Sequence, residues 1–306
     1  MFVLAPLLLF AGACAGTARP TLAPEVMSQF WEEPVELARR DLFNGPGGAQ
    51  RAPDPREKFQ FVELKATGFN PGYDVKDSRG REWSVKLGVE SRIEVTVSRL
   101  MSALGYHQPY IYYLRRWTLT RDGRDTVIEG EGARFRLDLP NERKEGEWSW
   151  RKNPFLDTQP FAGLAVLMVM VNNWDIKTAQ NALYVVAQDG VEMGHHYVVR
   201  DVGAAFGRTA WASMGTKDDP EEFEKETFID RVEGNRVLFH YKGAIMEPHL
   251  LDGITPADVR WICGLMARLT DQQLSDAFRA GGFSDAEASR HIKRLKEKIQ
   301  EGLRVH

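Results

Sequence analysis

A handful of acidic, amide and lysine side chains in this chain stand where transfer of a phosphoryl group would need them. The stretch Asn172-Asn173-Trp174-Asp175-Ile176-Lys177-Thr178-Ala179-Gln180-Asn181 leads into the apolar run Ala182-Leu183-Tyr184-Val185. In such a loop Asp175 can orient or deprotonate a hydroxyl, Lys177 can meet a phosphate, and Asn181 offers a hard oxygen to a divalent cation. Asp201 follows Asn181 by twenty residues, in Val198-Val199-Arg200-Asp201-Val202-Gly203. Asp-x-Gly is a common turn, and its weight here comes from standing directly after a strand-like segment, one hairpin beyond the first cluster. Upstream, Lys86 closes an alternating segment and Glu94 falls eight residues later on a helical pattern. A strand-to-helix turn can bring that ammonium and carboxylate together, although either alone also reads as an ordinary surface charge.

The elements that would hold these groups are legible in part. Phe59, Phe61 and Leu64 alternate, the turn Thr67-Gly68-Phe69-Asn70-Pro71-Gly72 follows, and Asp77-Ser78-Arg79-Gly80 separates Tyr73 and Val75 from Trp83-Ser84-Val85-Lys86-Leu87. This spacing predicts three consecutive strands. Ile93, Val97, Leu100, Met101 and Leu104 then recur at helical period, with Gly105 placed to stop the helix. Tyr110 to Leu119 returns to strand composition, and Asp122-Gly123 marks a hairpin before Val127. Phe161 to Val171 is apolar on every side but only 11 residues long, which predicts a buried helix rather than a membrane span. Strands are expected over 182–187 and 196–199, and a later hairpin around Gly234-Asn235. Three C-terminal helices are announced by Thr255 with Asp258, Thr270 with Gln273, and Ser284 with Glu287, each a cap followed three residues on by an acid or amide.

Composition narrows the partners. With 306 residues, 43% hydrophobic and 27% charged, and a net charge of −3, the chain is globular and carries no overall basic field, so nucleic acid is not its expected partner. Phe2 to Ala13 carries no charge and ends in Ala11-Gly12-Ala13 before Cys14, the pattern of an export signal whose small residues precede a lipidated cysteine. The expectation is an exported envelope protein, attached to a membrane through lipid on Cys14. Cys263 is then left without a disulfide partner and reads as a buried hydrophobe. Residues 15–57, rich in Pro and Gly and holding one short helix near Pro34 to Leu42, read as a tether. Asp218 to Glu226 reads as a solvated acidic loop, His195-His196 lacks partners at ligand spacing, and Trp117, Trp148, Trp150 and Trp174 read as packing.

Taken together these motifs resemble an atypical kinase, nearest in pattern to phosphoinositide-3/4-kinase-like and bacterial toxin-type kinase-like proteins. Lys86-Leu87-Gly88-Val89-Glu90-Ser91-Arg92-Ile93-Glu94 is similar to the lipid-kinase pattern Lys-x-Gly-Asp-Asp-x-Arg-Gln-Asp. Asp175-Ile176-Lys177 is similar to the Asp-Leu-Lys of a protein-kinase catalytic loop, and Asp201-Val202-Gly203 to Asp-Phe-Gly. The resemblance implies an α+β, two-lobed fold. An antiparallel-sheet N-lobe with one helix would span residues 58–130, and a mainly helical C-lobe residues 131–306, after a leader over 1–14 and the tether over 15–57. It implies ATP and Mg²⁺ as cofactors and an acceptor of unidentified class. Lys86 would pair with Glu94, with Glu90 as its substitute. Gly68 and Gly72 would cover the phosphates, and Asn181 and Asp201 would hold the metal. Kinases place the metal-binding Asn five residues after the catalytic Asp, where this chain has Gln180 and puts Asn181 next. Phosphoryl transfer, nucleotidyl (AMP) transfer with the same residues, and a pseudokinase acting as a binding module all remain open at this stage.

Overall fold

The structure, a computed structural model, describes residues 19–65, 72–210, 215–243, 247 and 249–306. The leader with Cys14, and Gly68, lie outside the described residues. The fold is mixed α+β, built on two hydrophobic cores.

After a single turn of helix α1 (Pro24–Met27), where the tether was expected to hold its helix nearer Pro34, only the 3-10 turn Leu37–Arg39 forms, entered through Glu36 at φ 47°. Strands β1 (Lys58–Lys65), β2 (Gly72–Lys76) and β3 (Glu82–Leu87) lead to α2 (Glu90–Ala103), and β4 (Ile111–Arg121) and β5 (Arg124–Leu137) follow as a hairpin turned at Asp122-Gly123. These five strands close into a barrel of order β1-β2-β3-β5-β4. The closing seam is parallel, pairing Lys58 to Gln60 with Thr118 to Thr120, so the antiparallel sheet expected here is corrected to a barrel with one parallel pair. Burial supplies the reason: Phe59, Val75, Trp83, Val85, Trp117 and Phe135 all point to one side, and only closure can wrap that much aromatic surface. Because β5 pairs with β3 as far as Leu137, the barrel extends past residue 130.

The second core gathers the helices. β6 (Glu142–Gly146), α3 (Gln159–Met170), β7 (Asn181–Gln188) and β8 (Val191–Val199) come next, the strands forming a sheet of order β6-β7-β8. The acidic segment expected as a solvated loop contains helix α4 (Pro220–Lys225): Asp219 caps it, Pro220 fits its first turn, and Phe223 is fully buried. A hairpin of β9 (Ile229–Glu233) and β10 (Arg236–Phe239) precedes α5 (Pro256–Ala267), α6 (Asp271–Ala280) and α7 (Asp285–Leu303). Each of the last three helices starts with a two-way capping box, at Thr255, Thr270 and Ser284. Ile93, Val97, Leu100 and Met101 of α2 belong to this core and not to the barrel. α2 therefore lies between the two, packed on α6. No helix among the described residues is long and apolar enough to cross a membrane.

The barrel core should fail at its centre first. Phe135 is fully buried, 4.8 Å from the Phe59 ring and 5.1 Å from that of Trp117. Phe135→Ala is expected to cost about 3–5 kcal/mol, seen as a lower urea midpoint. An unchanged midpoint would show that the barrel interior is not packed this way.

Candidate active site

Period-two alternation divides β3 cleanly: Trp83 and Val85 enter the barrel, while Ser84 and Lys86 face out of it. Gly88, at φ 94°, turns the chain between β3 and α2, and the Ser91 hydroxyl donates to the Lys86 carbonyl at 2.7 Å. That turn brings the first two turns of α2 over the Lys86 side chain. Its ammonium lies 2.7 Å from Glu90 Oε2, 2.9 Å from Asp201 Oδ1 and 3.4 Å from Glu94 Oε2. Glu90, the substitute in the sequence pattern, is thus nearer to Lys86 than Glu94 is. Glu94 turns its other oxygen to Arg134 Nε at 3.0 Å, in an almost fully buried pair. Glu90 is also held by Lys217, from the segment after Asp201.

Three cations therefore meet three carboxylates, and the electrostatics follow. Burial alone would lower Lys86, but Glu94, Asp201 and Glu90 outweigh it and hold the ammonium above its ordinary value. Burial alone would raise Glu90 and Asp201, yet Lys86 reverses the sign for both, helped by Lys217 at Glu90. Gly203 is needed at this junction: a Cβ there would stand 2.6 Å from Glu90 Cβ, so any larger residue would push α2 off the strand end.

The second cluster hangs from the end of α3. Asn172, at φ 57°, ends the helix, and the buried Lys298 of α7 donates to the Met170 carbonyl at 3.0 Å and to Asn172 Oδ1 at 2.7 Å. Trp174 N–H donates to the Ala204 carbonyl at 3.1 Å, and Tyr241 hydroxyl to the Asn173 carbonyl. On this frame Asp175 Oδ2 accepts from Lys177 Nζ and from Gln180 Nε2, each at 2.8 Å. The Asp201 N–H reaches the Gln180 carbonyl at 3.3 Å, which joins the two clusters.

The change from the 3-10 turn Thr178–Gln180 to β7 falls between Gln180 and Asn181, and the two side chains take different partners. Asn181 is fully buried on the core side, where its amide donates to the Trp148 carbonyl at 2.8 Å and its Oδ1 has no partner. Gln180 lies with Asp175 and Asp201. The structure thus joins Lys86, Glu94 and Asp201 in one cluster and Asp175, Lys177 and Gln180 in a second, adjoining one. It places Gly72 opposite Lys86 on the neighbouring strand, and directs Asn181 elsewhere. Sequence reasoning passed over Arg134 and Lys217, and it weighed Gln180, five residues after Asp175, against Asn181 as the metal ligand and favoured Asn181.

The fit to a divalent cation can be judged from the donors. No group of three or more His, Cys, Asp or Glu poised for a metal occurs among the described residues. Asp201 spends Oδ1 on Lys86 but its side chain remains 40% exposed, and Gln180, with its amide nitrogen committed to Asp175, has a carbonyl oxygen to give. A carboxylate and an amide oxygen are hard donors of the kind Mg²⁺ takes, few from the protein with water and phosphate completing its shell.

No protein-family model matches the chain, and no curated protein matches it in sequence. Among solved structures it is similar to the Helicobacter pylori proinflammatory kinase CtkA, with 10% identity, TM-score 0.46, and coverage of 80% of this chain and 96% of that one. It is also similar to the Golgi casein kinase, with 8% identity, TM-score 0.38, and coverage of 82% and 73%. A third similarity is to hydra Fam20 with sugar, with 10% identity, TM-score 0.31, and coverage of 81% and 86%. At such scores and identities no site, ligand or activity carries across from these proteins.

The charge cluster makes a prediction about stability. Glu94→Gln leaves Arg134 buried without its carboxylate and should cost about 3–5 kcal/mol, whereas Glu90→Gln, which leaves Lys86 two acids, should cost clearly less. Lowered Glu90 and Asp201 stabilise the fold above their ordinary values of 4.5 and 3.8, and that contribution fades as pH falls through the folded values. Raised Lys86 stabilises fully below 10.5 and loses its contribution only as pH rises through its folded value. Protection of the α2 amides, taken relative to the intrinsic exchange rate at each pH, should therefore fall on the acid side, below about pH 4. Equal melting points for the two variants would contradict this ranking.

Proposed function

We propose that the chain is a kinase-like, metal-dependent phosphotransferase, whose barrel lobe and helical lobe enclose the two adjoining charge clusters in a cleft. The observation that supports this best is the 2.9 Å contact between Lys86 and Asp201, made in a cleft that also holds Asp175 and Gln180. A phosphate-binding cation, a metal-binding carboxylate and an acceptor-side carboxylate are the parts that phosphoryl transfer requires of a protein. On this reading the donor is a nucleoside triphosphate such as ATP. Lys86 and Lys177 neutralise its phosphates, and Asp201 with Gln180 holds Mg²⁺, which would draw charge from the phosphate oxygens. Gln180 takes this role in place of Asn181 because only Gln180 shares a face with Asp175.

Asp175 orients the acceptor. Its Oδ2 is fixed by Lys177 and Gln180, and Oδ1 is left to accept a hydrogen bond from an incoming hydroxyl. As that oxygen bonds to the terminal phosphorus, the bond from phosphorus to the bridging oxygen breaks, and the hydroxyl proton passes to Asp175. The proposal extends to location: export, with lipid on Cys14, in the cell envelope. Mass spectrometry finding an intact Met1 in the mature protein would reject that part.

Two substitutions separate binding from transfer. Asp201→Ala should abolish both Mg²⁺-dependent ATP binding and turnover in a protein that thermal melts show to be folded. Asp175→Asn should keep nucleotide binding while transfer falls by roughly 10²–10⁴-fold. Gln180→Ala should weaken Mg²⁺ dependence, and Asn181→Ala should act on stability alone. Calorimetric titration paired with a phosphate-release assay reads all four. Nucleotide binding without turnover in the wild type would make the chain a binding module on the same frame.

A further inference from the structure

The roof of the cleft carries more positive charge than holding one triphosphate by Lys86 calls for. On β2, β3 and β5 the row facing out of the barrel runs Gly72–Lys86–Arg134 and Asp74–Ser84–Arg136 across the strands. The apolar residues of the same strands, Val75, Val85 and Phe135, are spent inside the barrel. A purine held in a slot needs apolar surface on both faces, and among the described residues this outward row offers none. In its place Ser84 gathers cations: Arg136 Nη2 donates to its hydroxyl at 3.1 Å, Lys65 Nζ approaches it at 3.4 Å, and Arg134 Nη1 donates to its carbonyl at 3.0 Å. From below, Arg200 reaches Tyr184 hydroxyl at 3.4 Å.

Arg134 is balanced by Glu94 and Lys65 by Asp74, but among the described residues no carboxylate lies within ion-pair distance of Arg136 or Arg200. Burial, and then the neighbouring Arg134 and Arg200, push Arg136 down to about 10, while Tyr184 and Glu94 only partly offset them. Asp138 faces the same guanidinium at longer range, and its own value is raised, by burial first. Like charges crowded in a partly dry cleft cost free energy unless an anion joins them. A base stacked on the guanidiniums would leave those charges uncompensated.

We infer that the inner cleft, between Ser84 and Arg136 above and Tyr184 and Arg200 below, is an anion site that grips an oligophosphate chain and provides no slot for a base. This rests on the phosphotransferase reading and specifies its donor: Lys86 takes one phosphate, the arginines take others, and whatever the chain is attached to stays outside.

Calorimetric titration of the full chain with inorganic tripolyphosphate, ATP and adenosine, each with Mg²⁺, tests it. Tripolyphosphate and ATP should bind within roughly fivefold of each other, and adenosine should not bind. Arg136→Gln and, independently, Arg200→Gln should weaken both phosphate compounds by about tenfold, to the same degree, with thermal melts confirming that each variant is folded. Binding of ATP and adenosine but not tripolyphosphate would overturn the inference and leave phosphotransfer standing. Phosphate binding lost in both arginine variants, with no transfer to any acceptor in the wild type, would sustain the anion site and overturn the enzyme. Failure of every phosphate compound to bind would overturn both.

Discussion

An ammonium removed from water must be matched by negative charge within a few ångströms, and at Lys86 that requirement fixes the relative positions of three separate segments. β3 delivers the lysine, α2 delivers Glu90 and Glu94, and the turn after β8 delivers Asp201. None of these carboxylates can move without exposing a charge deficit, so strand, helix and turn are held as one unit. The constraint then spreads outward. Arg134 must lie beside Glu94 because Lys86 cannot satisfy both of its oxygens, and Lys217 must reach back to Glu90 for the same reason. Gly203 is forced by the closeness of this packing, since α2 leaves no room for a side chain there.

The barrel makes this arrangement possible by sorting side chains. A strand gives alternate residues to opposite faces, so closing five strands over an aromatic interior pushes every intervening residue outward. On β3 and β5 those residues are Ser84, Lys86, Arg134 and Arg136. Core formation and site formation are therefore the same event: the register that seats Phe135 against Val85 also seats Arg134 against Lys86. Where the 3-10 turn Thr178–Gln180 passes into β7, Asn181 goes to the Trp148 side and Gln180 stays with Asp175. One residue of register decides which amide faces the cleft.

What could be read from the sequence follows from range. Helix periodicity and capping pairs are local, so α2, α3 and the three capped C-terminal helices were legible, as were the hairpins at Asp122-Gly123 and Gly234-Asn235. The order of Lys86, Asp175 and Asp201 was also legible, because each stands directly at the end of an element. Closure of the barrel was not, since pairing of Lys58 with Thr118 depends on residues sixty positions apart and leaves no mark in either strand alone. β6 is charged along most of its length and is defined by its partner β7. α4 is acidic on its surface and held by one buried side chain, Phe223. Arg134 and Arg136 read as ordinary polar positions of a half-buried strand, and only the cross-strand register turns them into cleft residues.

The last helix shows how far the site reaches into the fold. α7 is nineteen residues long with a strong polar face, and by pattern alone it is an appendage packed on α5 and α6. Its buried face says otherwise. Glu287 pairs with Arg92 of α2 at 3.0 Å, and His291 lies among four phenylalanine rings with Asp218 at 3.8 Å. Lys298 donates to the end of α3 just before the Asp175 loop. Among the described residues no carboxylate lies within ion-pair distance of Lys298, and burial pushes its ammonium well below the usual value. A lysine in that position costs stability unless its hydrogen bonds are met, and the groups that meet them are the Met170 carbonyl and Asn172 Oδ1. Asn172 in turn holds the left-handed turn that aims the loop. The helix thus touches α2 at one end and the Asp175 loop at the other, so the two charge clusters share a single support from outside the cleft as well as a direct contact within it.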